Sequence, residues 1–346
     1  MQPTEAELEQ AARALMHGEL VAFPTETVYG LGADAASPAA VAKIYAAKGR
    51  PSSHPVIVHV AKPADIDVWC QDIPAQAWLL AKAFWPGPLT MILKRHDAVD
   101  ASVSGGQDTI GVRCPSHPVA HALLARFAAL KAGAGQIRAG VAAPSANRFG
   151  RVSPTRAPHV RSEFAELVQQ GMPVLEGGDS EVGIESTIVD LSSVQEGGAV
   201  ALLRPGAITA ADISAVIGVE VVGQTAQSPR VSGSLKAHYA PSTPLTLCST
   251  DGLQACIKRW LQTHEGTVAV MATSGLVSVS DRVQWVSMPT TPQGYARELY
   301  RTLRHIDDLK VAAVIAEHVP QDSSWAGVAD RLGRAAAAFE GSGSSD

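Results

Sequence analysis

The sequence predicts an α/β protein in two parts, and three observations carry that expectation. Short apolar runs alternate with helical patterns through the first two thirds of the chain. The periodicity stops between residues 223 and 244, where Gly, Ser, Gln, Pro and Thr take over. A shorter alternation of the same kind then resumes. A length of 346 residues agrees with two domains at roughly 150 residues each.

In order, the apolar runs at 20–23, 56–60, 110–113, 141–143, 188–191 and 200–203 read as strands, and 4–17, 38–47, 74–84 and 117–130 as helices. The helix at 38 has the fullest signals: Ser37 as N-cap, Pro38 at its first position and Gly49 just past its end. Residues 130–140, LKAGAGQIRAG, read as a loop insertion before a strand. The first domain is thus set at 1–222 and the linker at 223–244. A second domain at 245–340 has strands at 245–248, 267–271, 283–286 and 311–316, with helices at 251–262, 292–306 and 325–338. A frayed tail is expected at 341–346.

Composition excludes several classes. Hydrophobic residues at 46% and charged residues at 18% exclude a disordered chain. A net charge of −5 argues against a surface that is one nucleic-acid footprint. Cys70, Cys114, Cys248 and Cys256 form no C-x-x-C pair, so neither a zinc ribbon nor a disulfide framework is expected. The acidic N-terminal region lacks a signal-peptide pattern, and no apolar run reaches the ~18 residues of a membrane span. The expected setting is reducing and cytoplasmic. No protein metal site is expected either: in HPVAH (117–121) the Glu of a zincin is missing.

Neither a P-loop nor a true G-x-G-x-x-G is present, so a nucleotide must be held in another way. The end of one helix and five polar strand margins supply the means. Lys48 and Arg50 end the helix at 38 and lead into a strand. Period two puts Thr109, Gly111 and Arg113 on one face, with Ile110 and Val112 on the other. Ser145 and Asn147 follow the strand at 141, at the kind of edge where α/β sheets bind ligands. In extended geometry Thr25, Thr27 and Tyr29 share a face, while Ser186 and Arg204 mark two further margins. Lys48 taken alone also fits a helix-end cation, and Ser and Asn are ordinary turn formers. Together the cations and hydroxyls suit a polyanionic ligand plus a small polar one.

The motifs PTETVYGLGAD (24–34), KGRP (48–51), TIGVRCP (109–115), APSAN (143–147), GIEST (183–187), LRPG (203–206) and HYAP (238–241) resemble one family throughout. The chain is similar to the threonylcarbamoyl-AMP synthases of the long, two-domain Sua5 type. That resemblance implies a YrdC-like mixed-sheet α/β domain followed by a smaller Rossmann-like βα domain. It implies a nucleotidyltransferase that makes threonylcarbamoyl-AMP and pyrophosphate from L-threonine, bicarbonate and ATP. A downstream transferase complex would carry the group to tRNA, which this chain would meet only indirectly if at all. Mg²⁺ would accompany the ATP. By resemblance Thr27, His59, Arg113, Ala143 and Ser186 hold threonine, and Arg50, His54, Thr109, Ser145, Ser153, Arg204, His238 and Tyr239 hold ATP. Lys48, Arg50, Ser145 and Asn147 form the catalytic set.

The chain departs from the family pattern in three places. His54 stands where Asn is usual, though an imidazole can also donate a hydrogen bond. Ser232-Gly233-Ser234-Leu235 replaces Pro-Gly-Met, and residues 131–139 are inserted. Neither of the last two is expected to touch the core motifs. A competing reading is an RNA-binding or ribosome-maturation YrdC-like module, against which the complete threonine and ATP set speaks. A hydrogenase-maturation carbamoyltransferase shares the domain but needs acylphosphatase and zinc-finger segments.

Overall fold

The computed structural model describes residues 2–275 and 280–340; the tail expected at 341–346 lies outside the described residues. The chain forms two compact units, Met1–Phe149 with Ser153–Ser234, and Gly150–Val152 with Leu235–Asp346.

The first unit opens with α1 (Glu5–Met16), started by a capping box in which Thr4 and Glu7 satisfy each other's backbone N–H. Strands β1 (Val21–Phe23) and β2 (Gly30–Asp34) pair antiparallel. Helix α2 (Pro38–Lys48) ends on Gly49 at φ 62°, a left-handed C-cap that suits glycine. Next come β3 (Ile57–His59), β4 (Cys70–Gln71), α3 (Ala75–Phe84), β5 (Leu89–Arg95), β6 (Thr109–Arg113), α4 (Pro118–Gly133) and β7 (Val141–Ala142). The unit continues through α5 (Ala157–Glu163), α6 (Ala165–Gln169), β8 (Thr187–Asp190), β9 (Ala201–Arg204), α7 (Ala210–Ile217) and β10 (Val222–Gly223). The sheet runs β1-β2-β7-β3-β6-β5-β8-β9-β10, with β4 on β5, and mixes parallel with antiparallel pairs.

Register decides where the site can be. Aligned partners share a face, so His59 stands beside Val141 and Arg113, while Val58 stands beside Ala142 and Val112. The face of Val58 and Val112 is apolar and joins Ile44, Leu80 and Ile213 from α2, α3 and α7 in one core. On the other face α1 and α4 pack over Val21, Phe23 and Val141. Their fully buried Leu15, Leu123 and Phe127 each contribute roughly 1.5–3 kcal/mol through apolar burial. The central strands of that second face carry the polar residues His59, Thr90 and Arg113 instead.

The structure corrects several expectations. The stretch Thr25–Tyr29 is not extended: Thr25 Oγ1 donates to Val28 O at 2.6 Å and accepts from Val28 N at 3.2 Å, which bends the chain there. The proposed insertion is partly helical, because α4 continues to Gly133. Within that added turn Lys131 makes a buried 2.6 Å ion pair with Asp34, so the insertion does touch the PTETVYGLGAD motif. The start of this helix is as expected: α4 begins at Pro118 within HPVAH, with His117 as its N-cap accepting from Val119 N at 3.2 Å.

The second unit holds β11 (Leu245–Cys248), α8 (Leu253–Thr263), β12 (Val268–Ala272), β13 (Val283–Ser287), α9 (Pro292–Leu309), β14 (Ala313–Glu317) and α10 (Ala326–Ala337). Its sheet is all parallel in the order β11-β14-β12-β13. The cysteines correct a further expectation: Cys248 and Cys256 are disulfide-bonded, whereas Cys70 and Cys114 are free and buried. Cys248 ends β11 and Cys256 stands in the first turn of α8, so a tight return of the chain brings them together. Among the described residues no helix is long and apolar enough to cross a membrane.

Candidate active site

The β1–β2 bend, the end of β6 and the start of β8 build the first half of the site. Arg113, 4% exposed, donates from Nη1 to Thr27 Oγ1 at 2.9 Å and from Nε to Gly87 O at 3.3 Å. Thr27 Oγ1 is also 2.9 Å from Thr25 Oγ1. His59 stands next to Arg113 in register, its ring edge-on to Phe23. Burial, reinforced by the Arg113 charge, pushes His59 down to about 3, so the imidazole is neutral at pH 7. Ser186 Oγ lies 2.7 Å from Thr90 Oγ1 and accepts from Arg204 Nη2 at 3.1 Å. Ala143 is buried where β7 ends, its N–H given to Ile57 O. Of the residues expected to hold threonine, His59 and Arg113 thus lie on adjoining strands, Thr27 comes from the β1–β2 bend, and Ala143 and Ser186 flank β7 and β8.

The cationic half lies at the end of α2 and of β9. Arg50 donates from Nη2 to Pro55 O at 2.7 Å and lies 5.8 Å from the Phe149 ring centre. His54 meets the same ring edge-on at 5.3 Å, and burial together with Arg50 lowers its pKa. Arg204 donates from Nε to Ser186 O at 3.0 Å and from Nη1 to Ser232 O at 2.9 Å. Ser232 Oγ is 3.4 Å from Arg50 Nη2. The Ser232 segment thus touches two motif arginines, contrary to expectation, because residues 224–234 run along the first unit with Val231 buried in its core. Thr109 starts β6 and is part-exposed.

Lys48 is buried, and its ammonium donates to Ser145 O at 2.6 Å and to Asn147 O. Desolvation, then the Arg50 charge, holds its pKa well below the usual lysine range. Its own carbonyl accepts from Phe149 N at 2.8 Å, so Lys48 fastens the whole 145–149 loop. Ser153 donates to Glu185 Oε1 at 2.6 Å, and both residues are buried.

His238 and Tyr239 belong to the second unit. Tyr239 has φ 61°, a left-handed conformation rare for a bulky side chain. Its ring packs 5.8 Å from Tyr300, with the Arg331 guanidinium 5.4 Å from the ring centre. His238 N donates to Arg334 O, and Ala240 N donates to Gly150 O.

Glu26, Glu185 and Ser232 are the site residues that motif reading missed. Glu26 and Glu185 do lie inside quoted motifs, but acting through pairing with Arg113 and Ser153 they leave no spacing signal.

A family described as "Telomere recombination" matches residues 13–206, and one described as "Threonylcarbamoyl-AMP synthase, C-terminal domain" matches residues 208–337. The threonylcarbamoyl-AMP synthase of Pyrococcus abyssi is 35% identical, over 96% of this chain and 94% of its own length. That of Bacillus subtilis is 37% identical, over 96% and 93%. A crystal structure of the P. abyssi protein, Sua5, in complex with L-threonine superposes with a TM-score of 0.84 at 34% identity, covering 98% of this chain and 96% of that one. This chain belongs to the two-domain, Sua5-type threonylcarbamoyl-AMP synthases, enzymes of the nucleotidyltransferase class.

Proposed function

We propose that this chain joins L-threonine, bicarbonate and ATP into threonylcarbamoyl-AMP with release of pyrophosphate. The product would supply a transferase complex acting on tRNA, so tRNA is not needed for this step. One observation carries the reading: a buried guanidinium, Arg113, bonds the Thr27 hydroxyl, while on the same sheet face the Ser186 hydroxyl links Thr90 to Arg204, which shares Ser232 with Arg50. The first part suits a hydroxy amino acid and the second a polyphosphate.

We assign Thr27, His59, Arg113, Ala143 and Ser186 to threonine, and Arg50, His54, Thr109, Ser145, Ser153 and Arg204 to ATP. Once the threonine nitrogen carries a carboxylate as its carbamate, a carbamate oxygen attacks the α-phosphorus and pyrophosphate leaves. That reaction needs alignment and charge stabilisation more than a protein nucleophile. Lys48 supports it by fixing the loop of Ser145 and Asn147, and Mg²⁺ enters as the counter-ion of the ATP substrate.

The test is incubation of the purified protein with MgATP, threonine and bicarbonate, with mass spectrometry for threonylcarbamoyl-AMP. Pyrophosphate release should need threonine and bicarbonate together and should not need tRNA. Undiminished release without threonine refutes the reading.

A further inference from the structure

Glu26 lies beside Arg113 and is 4% exposed. Its Oε1 is 2.7 Å from Arg113 Nη2, yet neither carboxylate oxygen nor that nitrogen has an aligned hydrogen-bond partner. A buried pair that served the fold alone would close as a bidentate fork, because an unsatisfied buried carboxylate is costly. Here the opposite charges touch but leave their bonding directions open. That is the complement of an α-amino acid zwitterion, whose ammonium and carboxylate hang from one carbon.

We infer that Glu26 is a further catalytic residue: it receives the threonine ammonium beside Arg113 and takes its proton, freeing the amine to form the carbamate. The inference rests on the proposed reaction, which cannot begin while the amine is protonated, and an α-amino group is largely protonated at pH 7. The step balances. An N–H bond breaks and the proton passes to a Glu26 oxygen. Glu26 returns it to the hydroxyl of bicarbonate, which leaves as water and yields carbon dioxide. The nitrogen lone pair then forms the N–C bond, a C=O electron pair moves onto oxygen, and the second N–H proton returns to Glu26. The sum is ammonium plus bicarbonate giving carbamate, water and one proton.

The charged and titratable groups facing Glu26 are Arg113 on β6, Cys114 beside it and His117 at the start of α4, with His59 behind Arg113. Burial pushes Cys114 up to about 12 and lowers both histidines. Hence none of these neighbours changes charge between pH 7 and 9, and a change of profile there reports on the amine and its base.

The experiment measures threonylcarbamoyl-AMP formation by full-length wild type, Glu26→Gln and Glu26→Asp from pH 7 to 9. At neutral pH the Gln variant should be slower by ~10²–10⁴, the usual worth of a general base. Its rate should climb close to tenfold per pH unit toward the pKa of free threonine, while the wild-type profile stays flat. Both variants should recover most of the lost rate on threonine carbamate preformed in alkaline bicarbonate. A Gln variant within threefold of wild type, or slowed equally at every pH, overturns the assignment. So does failure of the preformed carbamate to rescue, which Glu26→Asp reports even if Glu26→Gln does not fold. A wild-type chain that makes no adenylate defeats the functional reading and Glu26's role with it, whereas an active wild type beside an unrescued variant defeats the role of Glu26 alone.

Discussion

Replacing Lys48 by Met separates two roles a lysine at a helix end can play. If Lys48 merely complements the α2 dipole, its loss costs a few tenths of a kcal/mol to about 1 kcal/mol and leaves catalysis alone. The geometry points elsewhere: Gly49 already caps α2, and the ammonium crosses to Ser145 O and Asn147 O. Met keeps the length of the stem but removes both donors, leaving two carbonyls without their partner at about 1–3 kcal/mol apiece where they stay dry. Relief from burying a charge offsets part of this, so the expected net loss of stability is about 2 kcal/mol. The larger effect falls on the rate, because the 145–149 loop would lose the tie that holds it. A displacement of ~1 Å at a reacting centre costs on the order of a hundredfold.

Steady-state pyrophosphate release should therefore show turnover down about a hundredfold, with threonine affinity by calorimetry nearly unchanged, since Arg113 and Thr27 lie on other elements. The linkage has a definite sign. A lysine whose folded pKa is depressed binds fewer protons folded than unfolded, so wild type should gain stability over Lys48→Met as pH rises toward about 10.5 and lose it as pH falls. Turnover within threefold of wild type, in a variant that melts normally, would refute the loop-fastening role and return Lys48 to the helix end.

Further outcomes follow from the same geometry. If Thr27 reads the substrate hydroxyl, valine should be rejected by ~10⁴ but serine by only ~10–200, and comparable rates with valine would show a pocket that reads shape alone. Lys131→Met should lower stability by ~3–5 kcal/mol in urea titrations, because it strands buried Asp34, whereas pairing it with Asp34→Leu should recover most of the loss. His59, neutral when folded, should make stability fall by about 1.4 kcal/mol per pH unit as pH drops from 6.5 toward about 3. His59→Gln should remove that slope, and an unchanged acid limb of the stability curve would contradict the burial argument.

What was legible in the chain was what the local chain decides. Ser37, Pro38 and Gly49 fix the ends of α2 by capping rules that act over a few residues, and these ends lie where the sequence reading put them, to within a residue. The polar strand margins could be read for the same reason, since period two sorts Arg113 from Val112 without knowledge of the partner strand. Strand β2 could not, because its glycine has a tertiary cause. A Cβ on Gly32 would come within 2.7 Å of Val141 and 2.8 Å of Phe23, so packing between strands demands the residue that a sequence reading treats as a loop marker. The linker misled in the opposite sense. Its Gly- and Ser-rich composition reports missing periodicity, yet Val231 is buried and the Ser232 carbonyl takes a guanidinium bond from Arg204.

Charge pairs form the third category. Lys131 meets Asp34 across 97 residues and Arg113 meets Glu26 from a distant part of the chain, and neither spacing repeats or marks a helix face. Burial makes such pairs stringent, because each partner left alone would be an uncompensated charge, while nothing in the local chain announces them. Glu26 belongs here. It stands in the middle of the PTETVYGLGAD motif between two threonines, and in sequence it reads as one polar residue of a turn. Only the fold, by bringing β6 against the β1–β2 bend, turns that carboxylate into an acceptor with open bonding directions beside the cation expected to hold the substrate. Spacing could nominate the cations of this site, whereas its base had to be found by asking where every buried polar atom finds a partner.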